Sequence, residues 1–317
     1  MKYYLGIDLG GTNIATGVIN ENYEFLAHHH VSTLGTRPFE VVVRDMADAA
    51  REVLHKAGLT EQGIEYVGVG APSTIDPRNH HIVFANNLGW KDTDLIGEFQ
   101  KNWDIPVKMA NDADCAALGE SLAGAAKGYE NVLLLTLGTG VGGGFIMNKK
   151  IFLGGNGFGC EPGHMTLVYN GVPCTCGRRG CLEAYASVTA LIRETIEMIA
   201  AYPGTIMREM CGNDLRKISG RTAFDAAKKG DEAALRVVEN YVNYLAAGIG
   251  SLVTSFRPTV VILGGGVSNE GDYLLNPVRR LVGETVYAAD LMEPPAILRA
   301  TLGNDAGIIG AAMLGAS

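Results

Sequence analysis

The chain has 317 residues, 47 % hydrophobic and 19 % charged, a composition that excludes disordered and collagen-like chains and leaves room for about two domains. Its 26 Lys and Arg against 34 Asp and Glu give a formal charge of −8, so there is no overall basic field to hold DNA or RNA. Glycine is the outlier at 42 residues, about 13 % against a usual ~7 %, which points to tight turns and to backbone loops pressed against a ligand.

Lys2 to Leu9 alternates as a strand, Gly10-Gly11-Thr12 supplies a turn and Asn13 to Ile19 returns, which predicts a hairpin. The stretch Met1 to Asp8 lacks the basic start and longer apolar segment of a secretory signal. The longest apolar runs, Val132 to Leu135 and Val260 to Leu263, fall far below the ~18 residues of a membrane span. A cytoplasmic protein without a membrane partner is expected. His28-His29-His30 lies in a strand pattern, alternates faces and reads as surface. Val42, Met46, Ala49, Val53 and Leu54 predict a helix from Phe39 to Ala57, ended by Gly58 at its C′ position. Val67 to Val69 and Val107 to Ala110 read as strands, the second followed by a helix from Asp112 to Ala126.

Val132 to Leu137, the glycine run Gly138 to Gly144 and Phe145 to Met147 form a second strand-turn-strand. Shifted by 128 it overlays the first, with Leu5 on Leu133, Leu9-Gly10 on Leu137-Gly138 and Asn20 on Asn148. Asn111-Asp112-Ala113 is echoed by Asn304-Asp305-Ala306, 193 residues on. Ala186 to Ala201 and Thr222 to Phe256 read as helices, and Val260 to Leu263 as a strand ending in Gly264-Gly265-Gly266. Two similarly built α/β halves are expected, with a cleft between them that the chain crosses more than once.

Three glycine turns each follow an apolar strand: Asp8-Leu9-Gly10-Gly11-Thr12, Gly138-Thr139-Gly140-Val141-Gly142 and Gly264-Gly265-Gly266. Amides in such turns approach phosphate closely, and the hydroxyls of Thr12 and Thr139 add donors. One such turn is ordinary chain reversal; three, with an acid before the first, read as a nucleotide site. There is no G-x-x-x-x-G-K-[ST] loop. Gly138-x-Gly140-x-x-Gly143 matches the dinucleotide fingerprint, with Glu161 about 20 residues on, so an NAD-dependent oxidoreductase is the rival. That fingerprint has to open a helix, whereas Phe145-Ile146-Met147-Asn148 reads as a strand.

Six cysteines in a chain of this size do not form a secreted disulfide framework. His164, Cys174, Cys176 and Cys181 stand at H-x9-C-x-C-x4-C, enough for a closed, structural Cys₃His zinc site. The alternative is a set of buried thiols near an unrelated histidine. Cys160 reads as a small buried filler, and Trp90 as core or as packing beneath a sugar loop. Asn111-Asp112 stands where a strand passes into a helix. An aspartate there serves equally as an ordinary first-turn residue, yet a phosphoryl acceptor hydroxyl needs a carboxylate to take its proton. Asp112 is the candidate base, and Asp8, beside the first turn, the candidate magnesium ligand.

In order along the chain these residues resemble the ROK family of sugar kinases, itself similar to the actin/hexokinase/chaperone ATPase superfamily. Glu161-Pro162-Gly163-His164 looks like its E-x-G-H element, and Cys174-Thr175-Cys176-Gly177-Arg178-Arg179-Gly180-Cys181-Leu182-Glu183 like its C-x-C-G-x-x-G-C-x-E zinc signature. The resemblance implies a two-lobed α/β actin-like ATPase (ribonuclease H-like) fold. Residues 1–112 with a return at about 303–317 would form a small domain, and 113–302 a large one carrying the zinc loop. It implies an ATP- and Mg²⁺-dependent hexose kinase with structural Zn²⁺, acting as a homodimer. Asp8, Gly10, Gly11, Thr12 and Asn13 would form the first phosphate loop, and Gly138, Thr139 and Gly140 the second. Gly264, Gly265, Gly266 and Val267 would form the adenosine loop. Asp112 would be the base, with Asn87, Asn111, Glu161, His164 and Glu183 on sugar hydroxyls.

Asn86-Asn87-Leu88-Gly89-Trp90 looks most like the glucokinase branch, which implies glucose. Mannose, allose, fructose and N-acetylmannosamine are the alternative sugars, since Pro72-Ser73 stands where many relatives have Pro-Gly; polyphosphate is the alternative donor. Sugar-responsive repressors of the same family carry a helix-turn-helix domain ahead of the Asp8 motif. Seven residues precede Asp8 here, so a kinase is expected.

Overall fold

In a computed structural model, which describes residues 2–34, 37–85 and 88–316, the strand Tyr3–Leu9 pairs antiparallel with Asn13–Asn20, Leu9 opposite Ile14. Phe25–Ser32 extends the sheet beyond Asn13–Asn20, and on the other side Val67–Ala71 and then Val107–Asn111 join in parallel. A second five-stranded sheet repeats this order: Lys150–Ile151, Val141–Met147, Val132–Leu137, Val260–Gly264 and Ala296–Arg299. The 128-residue echo is thus a duplicated strand order. The chain forms two compact units, one of Met1–Leu134, Gly144–Cys160 and Thr301–Ser317, the other of Leu135–Gly143 and Glu161–Ala300.

In the first unit the Phe39–Lys56 helix buries Val42, Val43, Met46, Ala50 and Val53 against Leu5, Ile7, Ile14, Val67 and Val69. It stops where the sequence predicts. Gly58 takes φ +69°, and the Leu59 N–H donates to the Leu54 carbonyl at 3.0 Å, a left-handed C-terminal turn that glycine adopts without strain.

The glycine excess has a source that composition alone hid. The helix Asp305–Ala312 packs backbone to backbone on the first sheet and on the Asp112–Ala123 helix. A methyl group on Gly6 would overlap the Ile308 carbonyl, one on Gly68 the Ala311 carbonyl, one on Gly119 the Ala306 carbonyl and one on Gly310 the Cys115 carbonyl. Many glycines therefore serve close packing rather than ligand loops.

Several helices break sooner than periodicity suggests, each time where a side chain or a glycine takes over the backbone bonding. Thr222–Phe256 is two helices, Thr222–Ala227 and Glu232–Phe256; Gly230 sits at φ +86° and the Asp231 carboxylate caps Ala234 N–H at 2.8 Å. The helix expected from Ala186 begins at Val188, with Ser187 as its cap, after a separate Glu183–Ala186 turn. The Asp112 helix ends at Ala123 rather than Ala126 because the fully buried Glu120 draws the next amides aside. Its carboxylate accepts from the N–H groups of Ala125 at 2.8 Å, Thr301 at 2.9 Å and Leu302 at 2.8 Å. That carboxylate pins the Asp112 helix to the point where the chain re-enters the first unit. Among the described residues no helix is long and apolar enough to cross a membrane.

Candidate active site

In the first unit, Asp8 stands one residue before the end of its strand, opposite Ala15 and Gly70. Burial, reinforced by the like charge of Asp112, pushes its carboxyl up to about 7. Gly307 leaves it room: a methyl group there would lie 2.7 Å from Asp8 Oδ2. Asp112 opens the helix that follows Val107–Asn111. Burial raises its pKa against the downward pull of the Ala113 N–H, which donates to Asp112 Oδ1 at 2.9 Å. Asn111 caps this helix, its Oδ1 accepting from Ala113 N–H at 2.8 Å and Asp114 N–H at 3.3 Å. Its amide donates to the Ser73 carbonyl at 3.2 Å. The Asn-Asp pair is held from both ends, which fixes where the Asp112 carboxylate points. Ser73, the departure from Pro-Gly, is buried, with its hydroxyl turned back to the Ala71 carbonyl at 3.4 Å.

The first glycine turn closes through Gly10 N–H to the Asn13 carbonyl at 2.8 Å. Thr33 grips it from outside: its hydroxyl donates to the Gly10 carbonyl at 2.7 Å and its N–H to the Thr12 carbonyl at 2.8 Å. Asn87 lies outside the described residues.

Raised carboxyl groups are stability statements. Below pH ~4 Asp8 is protonated whether the chain is folded or not. Between there and about 7 the unfolded chain ionises while the fold resists, so this carboxyl takes stability away as pH rises. Asp8→Asn is expected to raise the melting temperature of the ligand-free protein by a few degrees above pH 7, the gain vanishing toward pH 4. A pH series of thermal melts on both proteins checks this; a pH-independent difference would refute it.

In the second unit, the second and third turns meet. Gly265 takes φ +80°, and a methyl group on it would lie 2.5 Å from the Leu137 carbonyl, just before Gly138. The second turn is held by Gly138 N–H on the Gly140 carbonyl at 3.0 Å and by Val188 N–H on the Gly138 carbonyl at 2.8 Å. Thr189 donates its hydroxyl to the Thr139 carbonyl at 2.7 Å. From this turn the chain continues as the strand Val141–Met147, not as a helix, so the dinucleotide reading fails on geometry.

Glu183 joins this turn to the cysteine loop. Its Oε2 accepts from Val141 N–H at 3.0 Å; its Oε1 accepts from the Thr175 hydroxyl at 2.9 Å and the Cys174 thiol at 3.4 Å. A methyl group on Gly140 would strike the Glu183 carboxylate, and one on Gly163 the Val141 carbonyl. The Glu161-Pro162-Gly163-His164 turn, the cysteine loop and the second glycine turn thus converge on Val141. The ligand atoms of His164, Cys174, Cys176 and Cys181 all lie within 4.8 Å of one another. Cys176 and Cys181 sulfurs stand 3.7 Å apart, as do Cys174 Sγ and His164 Nδ1. Four donors around a tetrahedral zinc stand roughly 3.4–3.8 Å apart, so this donor set fits the metal; Cys160 is not part of it.

A family model described as ROK family matches residues 4–317. The chain belongs to the ROK family. Its relatives include the glucokinase of Thermotoga maritima, 35 % identical over 98 % of this chain and 96 % of that protein. The xylose repressor of Bacillus spizizenii is 30 % identical over 97 % of this chain and 75 % of that protein. Among solved structures, the ROK family glucokinase of Streptomyces griseus in complex with glucose and AMPPNP matches at a TM-score of 0.83, with 34 % identity and 98 % of each chain covered. The fold class is the α/β actin-like ATPase class of the ROK sugar kinases.

The turn glycines of this ROK chain divide into two kinds. At Gly265 the Leu137 backbone forbids a side chain and at Gly140 a methyl group would displace the Glu183 carboxylate, while at Gly138 and Gly266 a methyl group would meet no atom within 4 Å outside the adjoining residues. Gly265→Ala is expected to destabilise the fold by about 2 kcal/mol, from left-handed strain plus overlap. Gly138→Ala and Gly266→Ala should leave the denaturation midpoint unchanged and weaken nucleotide binding. Equal midpoints for all three, by urea titration, would contradict the division.

Sequence reading missed Thr33 and Glu120. A lone threonine after a strand and a glutamate within a helix carry no motif; their roles come from carbonyl and amide partners distant in the chain.

Proposed function

We propose that the chain is an ATP-dependent glucokinase that transfers the γ-phosphoryl group of MgATP to O6 of glucose. The observation that carries the reading is Asp112: a partly buried carboxylate of raised proton affinity, fixed at a helix start by its Asn111 cap and in the same unit as the Asp8 glycine turn. Asp112 accepts the proton of the attacking sugar hydroxyl, and in phosphoryl transfer such positioning supplies much of the catalysis. On this reading the Gly10–Asn13 and Gly138–Gly140 turns are the phosphate-binding elements of their respective units, and Gly264–Val267 is the adenosine loop. Asp8, whose ionised form has little else to stabilise it, would hold magnesium, which neutralises charge on the phosphates. His164, Cys174, Cys176 and Cys181 would hold zinc, whose part is structural. His164 then has its second ring nitrogen left for a sugar hydroxyl, with Glu161 and Glu183 beside it in the same unit, and Asn111 is the proposed sugar ligand next to the Asp112 base.

The test is ADP release from MgATP across glucose, mannose, allose, fructose and N-acetylmannosamine, with polyphosphate as a second donor. Glucose with ATP is expected to give the highest kcat/KM. A different leading hexose would overturn the sugar assignment. The similarity to xylose repressors over 97 % of this chain favours a second reading, a sugar-binding regulator, and sugar binding without ADP release would establish that reading instead.

A further inference from the structure

We propose that Thr33 is the positioning residue of the first phosphate turn. The inference rests on the kinase reading above. Thr33 is fully buried, follows the Phe25–Ser32 strand, and takes two carbonyls of the turn at once: Gly10 through its hydroxyl at 2.7 Å and Thr12 through its N–H at 2.8 Å. A trans peptide is planar, so the carbonyl of one residue and the N–H of the next point in opposite directions. With the Gly10 and Thr12 carbonyls drawn to Thr33, the N–H groups of Gly11 and Asn13 face away from it. The turn thus presents donors to an anion and keeps two carbonyl dipoles from opposing it, the arrangement of a backbone anion nest.

Thr33 is itself held from behind. Arg37 donates to the Thr33 carbonyl from Nε at 3.1 Å and Nη2 at 2.6 Å, reaches the Ser32 carbonyl at 3.1 Å, and is anchored on Asp45 at 2.6 Å. The line from Asp45 through Arg37 and Thr33 to Gly10 and Thr12 fixes the turn before any phosphate arrives, so binding does not have to order it.

The experiment compares wild type, Thr33→Val and Thr33→Ser in binding of MgAMPPNP and of glucose by calorimetry, and in turnover. Valine keeps the shape but leaves the Gly10 carbonyl without its buried partner, so MgAMPPNP affinity is expected to fall about tenfold. Serine keeps the hydroxyl and should stay within about twofold of wild type. Glucose affinity should not move, and the turnover loss should appear in KM for ATP rather than in kcat. Should Thr33→Val fail to fold, Arg37→Ala releases the same carbonyl network from behind and is expected to weaken MgAMPPNP several-fold. Unchanged nucleotide affinity in these variants, or equal losses for nucleotide and glucose, would overturn the proposal. Because the readout is nucleotide affinity, failure to phosphorylate any sugar would refute the kinase reading separately.

Discussion

Asp112→Asn is expected to lower kcat by roughly 10²–10⁴-fold while leaving the fold and the glucose KM close to wild type. Asparagine retains an oxygen for the Ala113 N–H, which Asp112 Oδ1 now accepts at 2.9 Å, and leaves the Asn111 cap untouched. What it lacks is a site for the proton of the sugar hydroxyl. The wild-type pH profile carries the same signature. A base works only when ionised, and burial raises this carboxyl above its ordinary 3.8. The rate should therefore rise with pH through that raised value, and the acidic limb should change in the asparagine variant, keeping only the part that Asp8, raised to about 7, contributes. A variant retaining more than a tenth of wild-type kcat, or the same acidic limb, would remove Asp112 from the role of base.

Removing the zinc proposed for the His164, Cys174, Cys176 and Cys181 cluster is expected to weaken glucose binding by roughly a hundredfold. The loop has little apolar core of its own, and Cys176 and Arg178 are exposed. Its backbone is tied by Leu167 and Val168 N–H groups to the Gly180 carbonyl at 2.7 and 3.1 Å, and by Cys174 N–H to the Arg178 carbonyl at 2.8 Å. A zinc on the four thiolate and imidazole ligands would supply what packing does not. Loss of the metal would loosen the two proposed sugar-binding segments, Glu161-His164 and Glu183, and with Glu183 its bond to Val141 beside the second turn. Elemental analysis should find one zinc per chain. Chelation or Cys181→Ser should expose residues 161–183 to hydrogen exchange while the first unit stays protected. A metal-free protein with full glucose affinity would contradict the assignment.

Some of this was legible because it is local. The apolar segments Tyr3–Leu9 and Val132–Leu137, each followed by a glycine turn and a returning apolar segment, identified both hairpins, because short apolar runs bounded by turn residues read as strands. The clustering of His164, Cys174, Cys176 and Cys181 was legible from spacing, and their donor atoms do come within 4.8 Å of one another. Asp112 could be nominated from its place between strand and helix. Its raised proton affinity could not, because that depends on what surrounds it in the fold. Helix lengths were overread at Ala126 and across Gly230-Asp231, where capping by Glu120 and Asp231 outweighed an unbroken apolar period.

The sequence by itself determined the class of fold, the duplicated strand-turn-strand, the grouping of the four His and Cys donors and the family, all carried by side-chain identity at fixed spacing. Only the tertiary structure decided which glycines the protein itself requires, that Glu120 binds Thr301 and Leu302 across 181 and 182 residues, and that Thr33 holds the Gly10 and Thr12 carbonyls of the first turn. Those decisions are made by backbone carbonyls and amides. Nearly every residue carries the same ones, so no composition or motif records where they meet.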